Sequence, residues 1–467
     1  MRFGLIVDLT LHSGNRRNFP DWITAYLEAV CPRSEAPERF HFWCAVWAVG
    51  GALRRHVYID QAQFKLFPNF FITLIGPPGV VRKTTTINMV SRLLREVPGV
   101  HFGADITTWE AFITRLEQAV DDFAEFSGNG KITVNDNYKQ TRSLQLAIGE
   151  WGNFIDTANK KQIEALTEIF DCKDDIPLLK DTKTQGSDLI INPFVNMLSA
   201  TTPKWMADNF RDSVGGWGFS SRCILLYAEE AERVIAYPGT LWRGSFPTIM
   251  ARLKADLCEI AQLYGEFTMT DAAIEYGTEW YAKHERRMVQ LNRHPEHDPW
   301  LSYYLARKFD HAHKLAMVFA ASQGTSLLIT PHILERSFER VDQVEQELAH
   351  IFSHDNQYTS RSVRLNEDVW KGMRNFIETK GGISEPDAYA FTRTWMSYGE
   401  AQSFFNQLIR ANWLSQETSQ GVTWFVKGSR WVAVLAQQSG QPHQPLLVDE
   451  LEAGSSAVPS LGYPVSN

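Results

Sequence analysis

PNFFITLIGPPGVVRKTTTIN, residues 68–88, is the stretch from which the fold is read. An apolar run at 70–75 meets a turn built of Gly76, Pro77, Pro78 and Gly79. Val80, Val81 and Arg82 follow, then Lys83, Thr84 and Thr85, and a helix-compatible segment continues through 88–94. Strand, glycine turn, Lys-Thr and helix make the layout of a phosphate-binding loop. Glycines let backbone N–H groups approach phosphate oxygens, and the helix N-terminus adds a partial positive charge. Lys83 would reach the β- and γ-phosphates of ATP, and the Thr84 hydroxyl would ligate Mg²⁺. The usual pattern is G-x-x-x-x-G-K-[ST]. Here Arg82 precedes Lys83, and Gly76 stands one residue too far back. The loop is therefore either one residue longer than usual or begins at Pro77.

At 467 residues the chain is long enough for about three domains. Its 44% hydrophobic content is ample for a packed core, and its net charge of −8 confines any nucleic-acid surface to a local patch. The five cysteines (Cys31, Cys44, Cys172, Cys223, Cys258) have no paired spacing and read as reduced, mostly buried thiols. No leader pattern opens the sequence, and no apolar run approaches the ~20 residues that span a bilayer. The expectation is a soluble cytoplasmic protein.

Working outward, residues 1–66 read as an N-terminal helical collar, with apolar helical spacing at 22–30 and 40–53 and a short strand at 57–59. Arg54 and Arg55 close the second helix where cations suit its C-terminus; contact with nucleotide or a neighbouring subunit is the alternative. Residues 67–235 read as an α/β core. Strand candidates occur at 100–102, 132–134 and 144–148, the last running into Gly149-Glu150-Trp151-Gly152. An apolar strand ending in a carboxylate is the Walker B arrangement, in which the carboxylate orients or deprotonates the attacking water. Glu150 is the choice, and Asp136 after the 132–134 run is the alternative. The acid that often precedes this carboxylate is replaced by Gly149, so magnesium falls to Thr84 and water.

An amphipathic helix at 160–172 leads to IPLLKDTKTQGSDLII, residues 176–191, a hairpin signature with a polar tip. A strand at 194–198 then ends in Ser199-Ala200-Thr201-Thr202-Pro203. Ser199 and Thr201 are placed to sense the γ-phosphate or position the water, while Thr202 suits a helix cap. Ser221-Arg222 enters a last core strand at 223–227, where Arg222 fits an arginine finger acting on the transferring phosphoryl group. Residues 236–360 read as a helical lid. His294 and His297 have no further ligand nearby and make no zinc site. Residues 364–430 show three helices and a two-stranded ribbon, a winged-helix pattern, and 437–467 read as a disordered tail.

The order GPPG…KT, strand-Glu-Trp-Gly, hairpin, NP-strand-SATTP and GGWGFSSR-strand resembles the P-loop ATPases of phages, plasmids and integrated elements, the primase–helicase-like replication proteins. FSSRCILLY is also similar to the Ser-Arg-Phe segment of minichromosome-maintenance AAA+ helicases, whose Arg acts on a neighbour's ATP. The resemblance covers about residues 20–350. It implies a RecA/AAA+-like core, hexameric ring assembly and DNA translocation, with Arg307 as a γ-phosphate sensor. In such a ring the hairpin points into the central channel, where Lys180 and Lys183 meet the phosphates of single-stranded DNA. The winged helix would dock a replication partner or a duplex. The expected function is a helicase or translocase in replication of a phage or mobile element. The alternatives are an ATP-switched loader, scaffold or defence ATPase that does not unwind, and a nucleotide-binding relic.

Overall fold

The computed structural model describes residues 17–121, 123–124, 138–156, 159–174, 178–182, 186–209, 218–291, 299–358, 370, 372–374, 376–393, 398–410, 413–419, 421–429 and 431. Asp136, Lys183, His294, His297, the strand expected at 132–134 and the tail expected at 437–467 lie outside these. The chain divides into two compact units, Met1–Asn356 and Gln357–Asn467.

The first unit is mixed α/β around a four-stranded parallel sheet. Its order is Cys223–Tyr227, Phe71–Ile75, Pro193–Thr201, Arg142–Ile148. FITLI and CILLY are buried at every position, as parallel strands covered on both faces must be. Register aligns the C-terminal ends: Ile75 faces Tyr227 on one side and Thr201 on the other, and Ile148 faces Ser199. The strand expected at 100–102 is reduced to a single parallel bridge, Phe102 to Gln145, beyond Arg142–Ile148.

Two helices lie against the sheet's core. Lys83–Arg95 follows the loop, and Glu38–Leu53 is buried from Phe40 onward. The latter was expected in a separate collar, but it shares one hydrophobic core with the sheet and with the helices Pro299–Gln323 and Pro331–Tyr358. A polar ladder pins it in place. Asn196 in the central strand accepts from the Phe70 N–H at 2.9 Å and donates to the Trp47 carbonyl and to Gln145 Oε1, each at 2.9 Å. Every one of these groups is buried, so each bond removes a desolvation cost of about 1–3 kcal/mol. Arg54 closes the helix as expected, its N–H donating to the Gly50 carbonyl, while its side chain pairs with Asp121 at 2.7 Å and that of Arg55 pairs with Asp174.

The hairpin forms as Leu178–Thr182 against Gly186–Ile190, with Lys180 in register with Asp188. The second unit contains the helices Glu385–Thr392 and Tyr398–Arg410 and a three-stranded antiparallel sheet ordered Gly382–Ser384, Val422–Lys427, Leu414–Ser419. Its first strand was not expected, because three residues (Gly382, Ile383, Ser384) carry no readable alternation. Ser384 then caps the following helix by accepting from the Asp387 N–H. No described helix is long and apolar enough to cross a membrane, and all five cysteines are free.

Candidate functional site

The loop between Phe71–Ile75 and the helix beginning at Lys83 crosses the C-terminal edge of the sheet. Gly76 is required where it stands: a Cβ there would lie 2.5 Å from the Ala228 carbonyl oxygen and 2.5 Å from Val81. Arg82 adopts the left-handed conformation, φ 52°, immediately before the helix. That is the backbone shape for which the second glycine of the pattern is suited, so the count runs from Pro77 and Arg82 occupies a glycine position. Its side chain is drawn out of the loop to Glu35, Nε to Oε2 2.6 Å. Glu35 also accepts from the Ile235 N–H at 2.9 Å, and that bond, then Arg82, holds its carboxyl below the usual range.

Lys83 points back into the loop and is buried. Its ammonium donates to the Gly76 carbonyl at 2.6 Å and the Pro77 carbonyl at 3.1 Å. Burial lowers its pKa, and the nearby charge of Glu150 opposes that shift. Pro78, Gly79, Val80, Thr84 and Thr85 are exposed along the loop and first helical turn.

Glu150 stands just past the end of Arg142–Ile148, and the Thr201 hydroxyl donates to its Oε1 at 3.1 Å. Lys83, Thr84, Glu150 and Thr201 thus gather at one end of the sheet. Gly149 lies beside Thr84: a Cβ there would make ordinary contact with the threonine methyl at 3.4 Å and its hydroxyl at 3.9 Å. The Thr84 hydroxyl and the Glu150 carboxylate are the oxygen donors here, a set that suits a hard cation completed by water. No cluster of three or more His, Cys, Asp or Glu suited to a metal occurs among the described residues.

Three expected residues are elsewhere. Ser199 lies two residues inside the strand end, fully buried; its hydroxyl donates to the Ile72 carbonyl at 3.1 Å and lies 2.9 Å from that of Thr73, and it has no access to the loop. Arg222 and Arg307 sit at the opposite, N-terminal edge. Arg222 pairs with Asp171 through Nε at 3.0 Å and Nη2 at 2.5 Å, and its Nη1 donates to the Gly218 carbonyl at 2.6 Å. Arg307 lies 3.7 Å from Asp171 and 3.2 Å from Asp310. Thr202 caps the following helix by accepting from the Trp205 N–H. Sequence reasoning missed Glu35 and Asp171, which are remote in sequence from their arginines and carry no local motif.

The chain matches no protein-family model, and no curated protein is significantly similar to it.

Proposed function

We propose that this protein is a P-loop ATPase with an AAA+/RecA-like core that assembles into a ring. One piece of geometry supports the nucleotide site: Lys83, Thr84, Glu150 and Thr201 converge beyond the C-terminal ends of parallel strands. From Phe71–Ile75 the chain crosses past Pro193–Thr201 to Arg142–Ile148, whereas from Pro193–Thr201 it crosses the other way to Cys223–Tyr227, and the crevice between two such strands is where open parallel sheets bind ligands. ATP fits the site. The Lys83 ammonium, buried against two neutral carbonyls, would exchange them for anionic phosphate oxygens, a stronger charge-assisted contact. Glu150, held by the Thr201 hydroxyl, would orient the attacking water and take its proton. Thr84 and water would hold Mg²⁺, whose charge supports the phosphates.

In this reading the ring translocates on DNA as a helicase in replication of a phage or mobile element. The hairpin carrying Lys180 and Lys183 grips single-stranded DNA, and the second unit acts as a winged helix that docks a partner or duplex. Helix-strand-helix-helix-strand-strand order in residues 370–427 supports the winged helix. The test is ATP hydrolysis with and without single-stranded DNA, alongside strand separation on a forked duplex. DNA-stimulated hydrolysis with separation is expected, and hydrolysis indifferent to DNA would overturn the helicase. Two observations favour a second reading, an ATP-switched loader, scaffold or defence ATPase. Gly149 removes a magnesium-side carboxylate and Arg82 strains the loop, features suited to slow turnover. Nucleotide-dependent assembly without unwinding would select it.

A further inference from the structure

Lys314, on the helix Pro299–Gln323, is a buried cation at the N-terminal edge of the sheet. Its ammonium donates to Asn69 Oδ1 at 2.7 Å and to the Asn69 carbonyl at 3.3 Å, and it stands 3.8 Å from the centre of the Phe170 ring. Both acceptors are neutral. An ammonium carries three N–H groups, so one is left over, and no described carboxylate forms an ion pair with this lysine. Buried charges are ordinarily paired, because a cation stripped of water without a counter-ion is costly.

The same lysine lines a cavity of about 540 Å³, the size of a small-molecule site. Phe67 and Phe170 line it as well, and Phe64 does so while remaining 52% exposed. The other charges along its wall are already engaged. Lys65 pairs with Asp174 at 3.1 Å, Arg307 with Asp310 at 3.2 Å and Lys173 with Glu168. Asp171 is held by Arg222, and the exposed Asp60 accepts from the Ala62 N–H at 2.7 Å. The Lys314 charge alone among the lining cations lacks a carboxylate partner.

We propose that this cavity binds a small organic monocarboxylate with a flat apolar body. The carboxylate supplies the counter-ion that Lys314 lacks, and the body rests against Phe64, Phe67 and Phe170. A phosphate dianion would bring a second negative charge toward Asp171, Asp174 and Asp310, and an amine would meet Lys314 with like charge. The site is independent of the nucleotide loop, since the strand Phe71–Ile75, about 13 Å long, lies between them.

Asp171, Cys172, Arg307, Asp310 and His311 surround Lys314. Burial keeps the His311 ring neutral and pushes the Cys172 thiol above its ordinary range. Burial also brings Lys314 down to about 8, with Cys172, Asp310 and Asp171 opposing that shift. The ammonium that the carboxylate needs is therefore lost as pH rises through about 8.

The experiment titrates 3-phenylpropionate into the full-length protein by ligand-observed NMR at pH 7, beside 3-phenylpropionamide, 3-phenylpropylamine and phenylphosphonate. The carboxylate is expected to bind about tenfold tighter than each of the others. Lys314→Met fills much of the same space without the charge, and should lose about tenfold in carboxylate affinity together with the preference over the amide. Phe64→Ala, at an exposed position, should weaken all four probes. In the wild type, carboxylate affinity should fall about tenfold between pH 7 and pH 9. No carboxylate binding at about 10 mM would overturn the proposal, as a ligand of this size in a fitting cavity binds more tightly than that. Undiminished binding in Lys314→Met, equal binding of acid and amide, or tighter binding of the phosphonate would overturn it too. If Lys314→Met does not fold, the wild-type pH series decides: a tenfold fall supports the site, and a flat series refutes it.

Discussion

At the scale of single residues, the loop combines a clear lysine with an unexpected arginine. Lys83→Ala should abolish ATP hydrolysis, since the loop's other cation, Arg82, is turned away to Glu35. Glu150→Gln should bind nucleotide and fail to turn it over, by a factor of about 10² or more. Hydrolysis at the wild-type rate in Glu150→Gln, measured by phosphate release, would remove Glu150 from its role. Arg82 gives a separate test. A non-glycine residue in the left-handed region costs about 1 kcal/mol, and the half-exposed pair with Glu35 returns little of it. Arg82→Gly should therefore be more stable than Arg82→Ala by about 1 kcal/mol, because alanine loses the pair and keeps the strain. Equal urea midpoints for the two would contradict that account. Lys83, Thr84, Glu150 and Thr201 were legible because each stands at a predictable strand or helix end. Ser199 was misplaced by two residues of strand, as the sequence does not mark where Pro193–Thr201 stops.

At the scale of elements, the parallel strands were readable as largely apolar runs, and the region holding the long helices Asp271–Leu291 and Pro299–Gln323 as helical. Glu38–Leu53 was readable as a helix but not as a core helix. Its apolar residues surround the axis, and no local signal says which sheet it will cover. The hairpin was legible from its turn, yet its purpose depends on assembly. Lys180 is in backbone register with Asp188, and in the sequence Asp181 follows it. If the hairpin grips DNA, the double variant Lys180→Ala/Lys183→Ala should retain nucleotide binding and basal hydrolysis while losing stimulation by single-stranded DNA. Affinity for the strand should also become less steep in salt, since fewer counterions are released. Undiminished stimulation would mean that the strand is held elsewhere.

At the scale of the whole molecule, stability should respond to acid through groups that the core holds in one protonation state. Burial pushes His311 down to about 3 and His41 down to about 4. Each is neutral in the folded chain at pH 5, whereas in the unfolded chain each takes up a proton near pH 6.5. The unfolded state then binds more protons, so their contribution is full above pH 6.5 and is lost as pH falls toward 4 and 3. Glu347 works in the opposite direction. Burial raises it to about 7 against the pull of Arg39, and its carboxyl accepts from the Tyr227 N–H at 3.3 Å. Its folded form gains a proton between pH 7 and 4.5 that the unfolded form does not, which stabilises the fold as pH falls through that window. At pH 5 the two histidines cost about 4 kcal/mol together and Glu347 returns about 2. These three groups together make the first unit about 2 kcal/mol less stable at pH 5 than at pH 7.5, and His284 and His313, lowered by burial as well, add to that loss. Glu347→Gln removes the opposing contribution and should deepen that loss by about 2 kcal/mol, whereas His311→Gln should reduce it by about the same amount. Urea unfolding at the two pH values reads all three proteins. An unchanged pH dependence in Glu347→Gln would show that its carboxyl is ionised in the fold, with Arg39 outweighing burial.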